Sequence, residues 1–288
     1  MTGQRASRPR EWSRRGFLGL ASAAVGLLVD GATGRAGAAP SARHLPADDP
    51  DLLPPFERMH LPALRLPVVT ANGAKVPVVV EMAHPMEPSH SITRIEVVNA
   101  RDPVPSKGVF HFTAANGPVY LSFQARMHHG ISEVSVIADC TLHGRWSSAR
   151  PINIAEGGGG CADPAPRRER VREDEIQPPA IRIPQLVKGR PVRPDQLVLV
   201  QLMTRHPSRT GLVFRDGKFA RQSAPFHLEQ IEVFYGEERV SRFELTSALS
   251  DDPLISFRLR AGREAPLRIV LTNTRGQRFE ATHPIRFA

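Results

Sequence analysis

Along most of this chain apolar and polar residues alternate with a period of two. That period sends successive side chains of a β-strand to opposite faces. Between Leu61 and Ala155 it predicts six strands: VPVVVEM (76–82), ITRIEVV (92–98), KGVFHFT (107–113), VYLSFQARM (119–127), VSVIADC (134–140) and RPINIA (150–155). Asn72-Gly73, Asn116-Gly117 and His129-Gly130 supply the turns. The rhythm returns at Ile181 with IRIPQLV, QLVLVQLM, GLVFR, HLEQIEVFYG, RVSRFELT, LISFRLRA, LRIVLTN and RFEATHPIRF. Asp216-Gly217, Tyr235-Gly236 and Arg275-Gly276 mark turns among them. No stretch keeps a helical period over a dozen residues. The expectation is an all-β chain of two immunoglobulin-like antiparallel β-sandwiches in tandem.

The two halves also resemble each other. VPVVVEMAHPM matches LVLVQLMTRHPSRTG, each a strand running into His-Pro, and ITRIEVVNA matches LEQIEVFYG. A repeat of this size predicts two related sandwiches side by side, each with its own core.

Three segments break the alternation. Residues 1–38 read as an export signal: Ser13-Arg14-Arg15 precedes Phe17-Leu18, an apolar run extends to Val29, and Ala36-Gly37-Ala38 offers a small-residue cleavage site. The run is too short to span a bilayer. The paired Arg14 and Arg15 resemble a twin-arginine signal, which predicts a mature protein in the periplasm with no membrane segment. Residues 39–59 are proline-rich and polar, a flexible leader. Residues 156–180 hold glycines, prolines and the mixed-charge run RRERVREDE, an arm and linker. The sandwiches then span 60–155 and 181–288.

Composition narrows the function. The net charge is +9, of which the signal carries a net four, leaving about +5 spread among acidic neighbours. No basic stripe interleaves with aromatics, which argues against nucleic acid as a partner. No Ser/His/Asp order, paired-carboxylate site or phosphate loop stands out; the glycine run lacks the Lys-Ser/Thr and helix that a phosphate loop needs.

What remains is a cysteine. Four glycines, Gly157, Gly158, Gly159 and Gly160, lead directly into Cys161. A glycine run resists ordering, so it predicts a swinging arm with a thiol presented to solvent. The other cysteine, Cys140, continues the Val134, Val136, Ala138 face of a strand and predicts a buried small hydrophobe. The residues leave three readings: a covalent carrier thiol at Cys161, a Cys140–Cys161 disulfide, or a plain exposed thiol. A periplasm permits the disulfide. No fixed cation adjoins Cys161, so activation has to come from a partner or from Arg167 and Arg168 folding back.

Met82, His84, Met86 and His90 in EMAHPMEPSH form a soft-ligand set suited to copper, the basis for an alternative copper-binding or scaffolding role. Pro85 and Pro88 instead favour a strand-end turn with packed methionines. His128, His129 and His143 stand isolated, so no metal and no cofactor is expected. Trp146 in HGRW suits either a docking contact or a cap on the core.

On VVVEMAHPM, GVFHFTAANG and the strand into GGGGCAD, the first half resembles SoxY; on HPSRTGLVFRDGK, HLEQIEVFYGEE and ALSDDPLISFRLRA, the second resembles SoxZ. The chain is similar to a SoxYZ sulfur-compound carrier with its subunits fused, over roughly residues 60–288. The resemblance implies a non-enzymatic periplasmic carrier whose cysteine, Cys161 here, holds thiosulfate- or sulfane-type intermediates. The implied partners are sulfur-oxidising periplasmic enzymes or, as in related fused carriers, a quinoprotein dehydrogenase with other cargo. It also implies intramolecular SoxY–SoxZ-like pairing. Two departures stand out: Ala-Asp-Pro follows Cys161 where the family has Gly-Gly, and the arm continues into the second half instead of ending.

Overall fold

In a computed structural model, which describes residues 43–44, 53–157, 159–163 and 175–287, the period-two segments are strands. The first half supplies β1 (Arg43–His44), β2 (Ala63–Arg65), β3 (Val69–Thr70), β4 (Val76–Glu81), β5 (Ile92–Val98), β6 (Ser106–Phe112), β7 (Tyr120–Ala125), β8 (Gly130–Cys140) and β9 (Gly144–Ile154). The second supplies β10 (Ala180–Arg182), β11 (Gln196–Met203), β12 (Leu212–Arg215), β13 (Lys218–Arg221), β14 (Leu228–Tyr235), β15 (Glu238–Leu245), β16 (Leu254–Ala261), β17 (Ala265–Asn273) and β18 (Arg278–Ile285). Short helices α1 (Pro55–His60) and α2 (Pro184–Val187) complete it. No helix among the described residues is long and apolar enough to cross a membrane.

The strands form two tandem β-sandwiches whose sheets are continuous across both halves. One sheet runs β1-β9-β8-β5-β6-β15-β14-β17-β18, with β3 also on β9; the other runs β10-β11-β16-β7-β4-β2. The seam in the first is β6 against β15, antiparallel from Ser241 opposite Phe112 to Leu245 opposite Gly108. The seam in the second is β7 against β16. Edge strands left unpaired invite further pairing, and here each half caps the other's edge. Between the sheets the rings of Phe110, Phe123, Phe243 and Phe257 pack at centroid separations of 5.0 to 5.4 Å. The expected pair of separate cores is therefore one core that crosses the seam.

Four local differences from the expected pattern have simple causes. The β9 strand begins at Gly144, because Gly144 takes φ +71° and closes a hairpin directly onto β8. Trp146 thereby points inward and is buried, a core cap and not a docking contact. The leader is ordered at Pro55–His60, where a proline in the first turn suits a helix start, and its Arg43–His44 pairs in parallel with Trp146–Ser147. The IRIPQLV strand stops at Arg182, since Pro184 lacks the N–H a ladder needs and opens α2 instead. The polar β13 carries no apolar alternation; Asp216 and Gly217, both at positive φ, fold it back on β12.

Candidate functional site

The segment carrying Cys161 leaves β9 and is stitched down on both sides. Gly157 turns it with φ +77°. The Gly160 N–H donates to the Met127 carbonyl at 2.8 Å, and Arg126 Nη1 donates back to the Gly160 carbonyl at 3.0 Å. Beyond the thiol, Thr210 Oγ1 donates to the Cys161 carbonyl at 2.8 Å. The Asp163 carboxylate accepts from the N–H groups of Thr210 (2.9 Å) and Gly211 (2.8 Å), while its own N–H donates to the Leu212 carbonyl. One flank of the segment is thus held by the first half and the other by the second.

Cys161 is only 1% exposed. This corrects the expectation of a thiol displayed on a free arm. The glycines are needed for closeness as much as for freedom: a Cβ on Gly160 would overlap the Gly73 carbonyl, and one on Gly159 would press on the His128 ring. Gly158 lies outside the described residues, as do Arg14, Arg15, Arg167 and Arg168.

Charges that the sequence scatters over 25 positions meet beside the thiol. Lys107 Nζ pairs with Asp102 Oδ2 at 2.6 Å, both side chains almost wholly buried, and also donates to the carbonyls of Val104 and Arg126. The other Asp102 oxygen accepts from the His128 N–H at 2.9 Å. Arg126 reaches across to Asp251 at 2.9 Å and to the Ser208 carbonyl at 2.7 Å. Burial pushes the Cys161 thiol up to about 12, and the Asp102 carboxylate adds to that; Lys107 and Arg126 pull the other way and lose. In this seated position the sulfur is protonated, shielded and a poor nucleophile.

The Cys140–Cys161 disulfide is overturned: both cysteines are free. Cys161 lies near Met127 and His128, just before β8 begins, whereas Cys140 ends β8. Ten residue steps of extended strand separate the two ends by about 30 Å.

A match to the family of sulfur oxidation protein SoxY covers residues 58–161, and a match to sulphur oxidation protein SoxZ covers residues 187–284. The chain belongs to the SoxYZ family. Its members are sulfur-oxidation carriers, and this one holds a SoxY and a SoxZ domain in a single chain. The SoxY match ends on Cys161 itself. No curated protein matches the chain. Among solved structures it is similar to a superoxide reductase from Nanoarchaeum equitans (23% identity, TM-score 0.28, 33% of this chain and 93% of that one). It is also similar to a superoxide reductase (neelaredoxin) from Ignicoccus hospitalis (25%, 0.29, 33% and 81%). Likeness that slight bears neither on this chain's fold nor on its function.

The SoxY half contains a second cluster, at the far end of β8. His60, His84, His90 and Cys140 place their ligand atoms within 4.8 Å of one another, and His143 joins them. Sequence reasoning grouped His84 and His90 with Met82 and Met86, and read His143 as isolated. The methionines are core residues, as the reading of a strand-end turn with packed methionines expected, Met86 Sδ accepting from the Ile92 N–H. The signal for the rest was present as Cys140-Thr141-Leu142-His143, but His60 arrives from α1, which no pattern predicted. Burial lowers His84 to about 4, helped by the neighbouring His90 and His60.

Proposed function

We propose that the protein is a periplasmic carrier, exported through its twin-arginine signal, that holds a sulfur-compound intermediate on Cys161. The observation that carries this reading is the position of Cys161: the last residue of the SoxY match, on a glycine segment clasped by both halves. Thiosulfate loading joins the thiolate to the sulfane sulfur and releases two electrons, which pass to an oxidising client enzyme of the same pathway. Hydrolysis by a second enzyme then takes one water, frees sulfate and two protons, and leaves a persulfide on Cys161. Both steps need an accessible sulfur. The seated segment is accordingly the resting position, and delivery requires Gly157–Cys161 to lift away from Gly73 and Met127. Once in water the thiol returns towards its ordinary value of 9.0.

Intact mass of the protein from its native host, with and without reductant and beside Cys161→Ser, tests the reading. A reducible adduct of thiosulfonate or sulfane mass on the wild type, absent from the variant, is expected. Unmodified wild type from cells oxidising sulfur compounds, or an adduct that persists in Cys161→Ser, overturns it.

A further inference from the structure

We propose that the His60, His84, His90, His143 and Cys140 cluster binds one divalent first-row transition-metal ion through four imidazole nitrogens and a thiolate.

The hydrogen bonds around the rings set which atoms face inward. His60 Nδ1 lies 2.7 Å from the Phe56 carbonyl and His84 Nδ1 lies 3.0 Å from the Pro85 carbonyl. A carbonyl only accepts, so each Nδ1 carries the ring proton and each Nε2 turns a lone pair to the centre. His60 Nε2 is 2.9 Å from His143 Nδ1, which is 3.1 Å from His90 Nε2 and 3.7 Å from Cys140 Sγ. Cys140 Sγ is in turn 3.5 Å from His84 Nε2. One ring nitrogen of His143 therefore faces three neighbours with at most a single proton to share. A cation at the centre satisfies the four atoms that lie within 4.8 Å of one another, and His143 Nδ1, in contact with three of them, completes the proposed set. Bond lengths of about 2.1 Å to nitrogen and 2.3 Å to sulfur put adjacent ligands about 3 to 3.7 Å apart, which is the spacing of the four contacts above.

The surroundings hold the ligands in place. Trp146 stacks on the His60 ring at 4.8 Å and donates to the His143 carbonyl, fixing the turn that brings His143 back to Cys140. Such outer contacts orient ligating rings. His60 and His84 are fully buried, while His90 and His143 are partly exposed and give an ion a way in from solvent.

The second half shows that the fold itself does not demand this cluster. There His206-Pro207 repeats His84-Pro85, with the same Nδ1 contact to its own proline carbonyl. Leu228 faces Asn273 across β14 and β17 as Ile92 faces Cys140 across β5 and β8. At the matching positions Asn273 Nδ2 meets His206 Nε2 at 3.2 Å and the Phe226 ring packs on His206. One half closes the space with an amide and an apolar ring; the other fills it with donors. Nitrogen and sulfur donors select iron, cobalt, nickel, copper or zinc over magnesium and calcium. Binding releases the Cys140 proton as the sulfur–metal bond forms.

The test is anaerobic titration of the metal-stripped full chain with cobalt(II), which reports thiolate ligation by a charge-transfer band. One cobalt per chain with that band is expected. Cys140→Ser should lose the band, His143→Ala should bind at least tenfold more weakly, and Cys161→Ser should match the wild type. Absence of the band, or a band that follows Cys161, overturns the proposal, as does undiminished binding by His143→Ala. Should Cys140→Ser not fold, X-ray absorption of the wild-type cobalt complex decides. A sulfur at about 2.3 Å among nitrogens supports the site, and a shell without sulfur refutes it.

Discussion

Gly160 shows how a single missing methyl group sets the reactivity of its neighbour. Its backbone sits against Gly73, and a Cβ there would overlap that carbonyl. Gly160→Ala should therefore unseat the segment and expose Cys161. Three pKa steps separate the seated thiol, near 12, from its ordinary value of 9.0. Each step is tenfold in thiolate population, so alkylation of Cys161 at pH 8 should accelerate by up to about 10³-fold. Unchanged alkylation would mean the seat does not control the thiol. The same burial acts on stability with a defined sign. A group whose folded pKa is raised favours the folded state below its unfolded pKa, and that support is lost as pH rises towards the folded value. The wild type should lose stability between about pH 9 and 12 in denaturant titrations, and Cys161→Ser should lose correspondingly less. Lys107, Arg126 and Asp102 face the sulfur and remain in both proteins, so the difference isolates the thiol.

At the scale of elements, the seam between β6 and β15 carries the coupling of the two halves. Phe243 lies on it, within 5.3 Å of Phe110 and 5.4 Å of Phe257 by ring centroid. The Asn116 side chain adds bonds from its amide to Ser241 Oγ and the Arg258 carbonyl. Phe243→Ala should cost about 3–5 kcal/mol, the usual loss for truncating a buried ring. Because the core is shared, unfolding of the wild type should be a single transition in denaturant. Two separated transitions in the wild type would contradict the continuous core. The hairpin of β8 and β9 has a different job. It sets the turn holding Cys140 and His143 at one end and leads through Gly157 to Cys161 at the other, so the two cysteines serve separate places.

At the scale of the whole molecule, the shared sheets make the linker dispensable for association. A protease site inserted between residues 164 and 174 and cut after folding should leave the two fragments eluting together at native size. Dissociation under native conditions would show that the tether, and not the sheets, holds them. The sequence alone determined the all-β class, the long strands though not the short β1, β2, β3 and β13, the repeat and the chemical prominence of Cys161. These follow from local facts: period-two alternation, turn dipeptides and a glycine run beside a rare residue. Tertiary structure decided what those elements do together. That β6 meets β15, that Asp102, Lys107 and Arg126 gather at the thiol, and that His60 joins His143 all depend on residues distant in the chain. The glycine run is the sharpest instance. Glycine gives the backbone freedom and also allows it to come close, and only the neighbour it touches, Gly73, decides that closeness prevails.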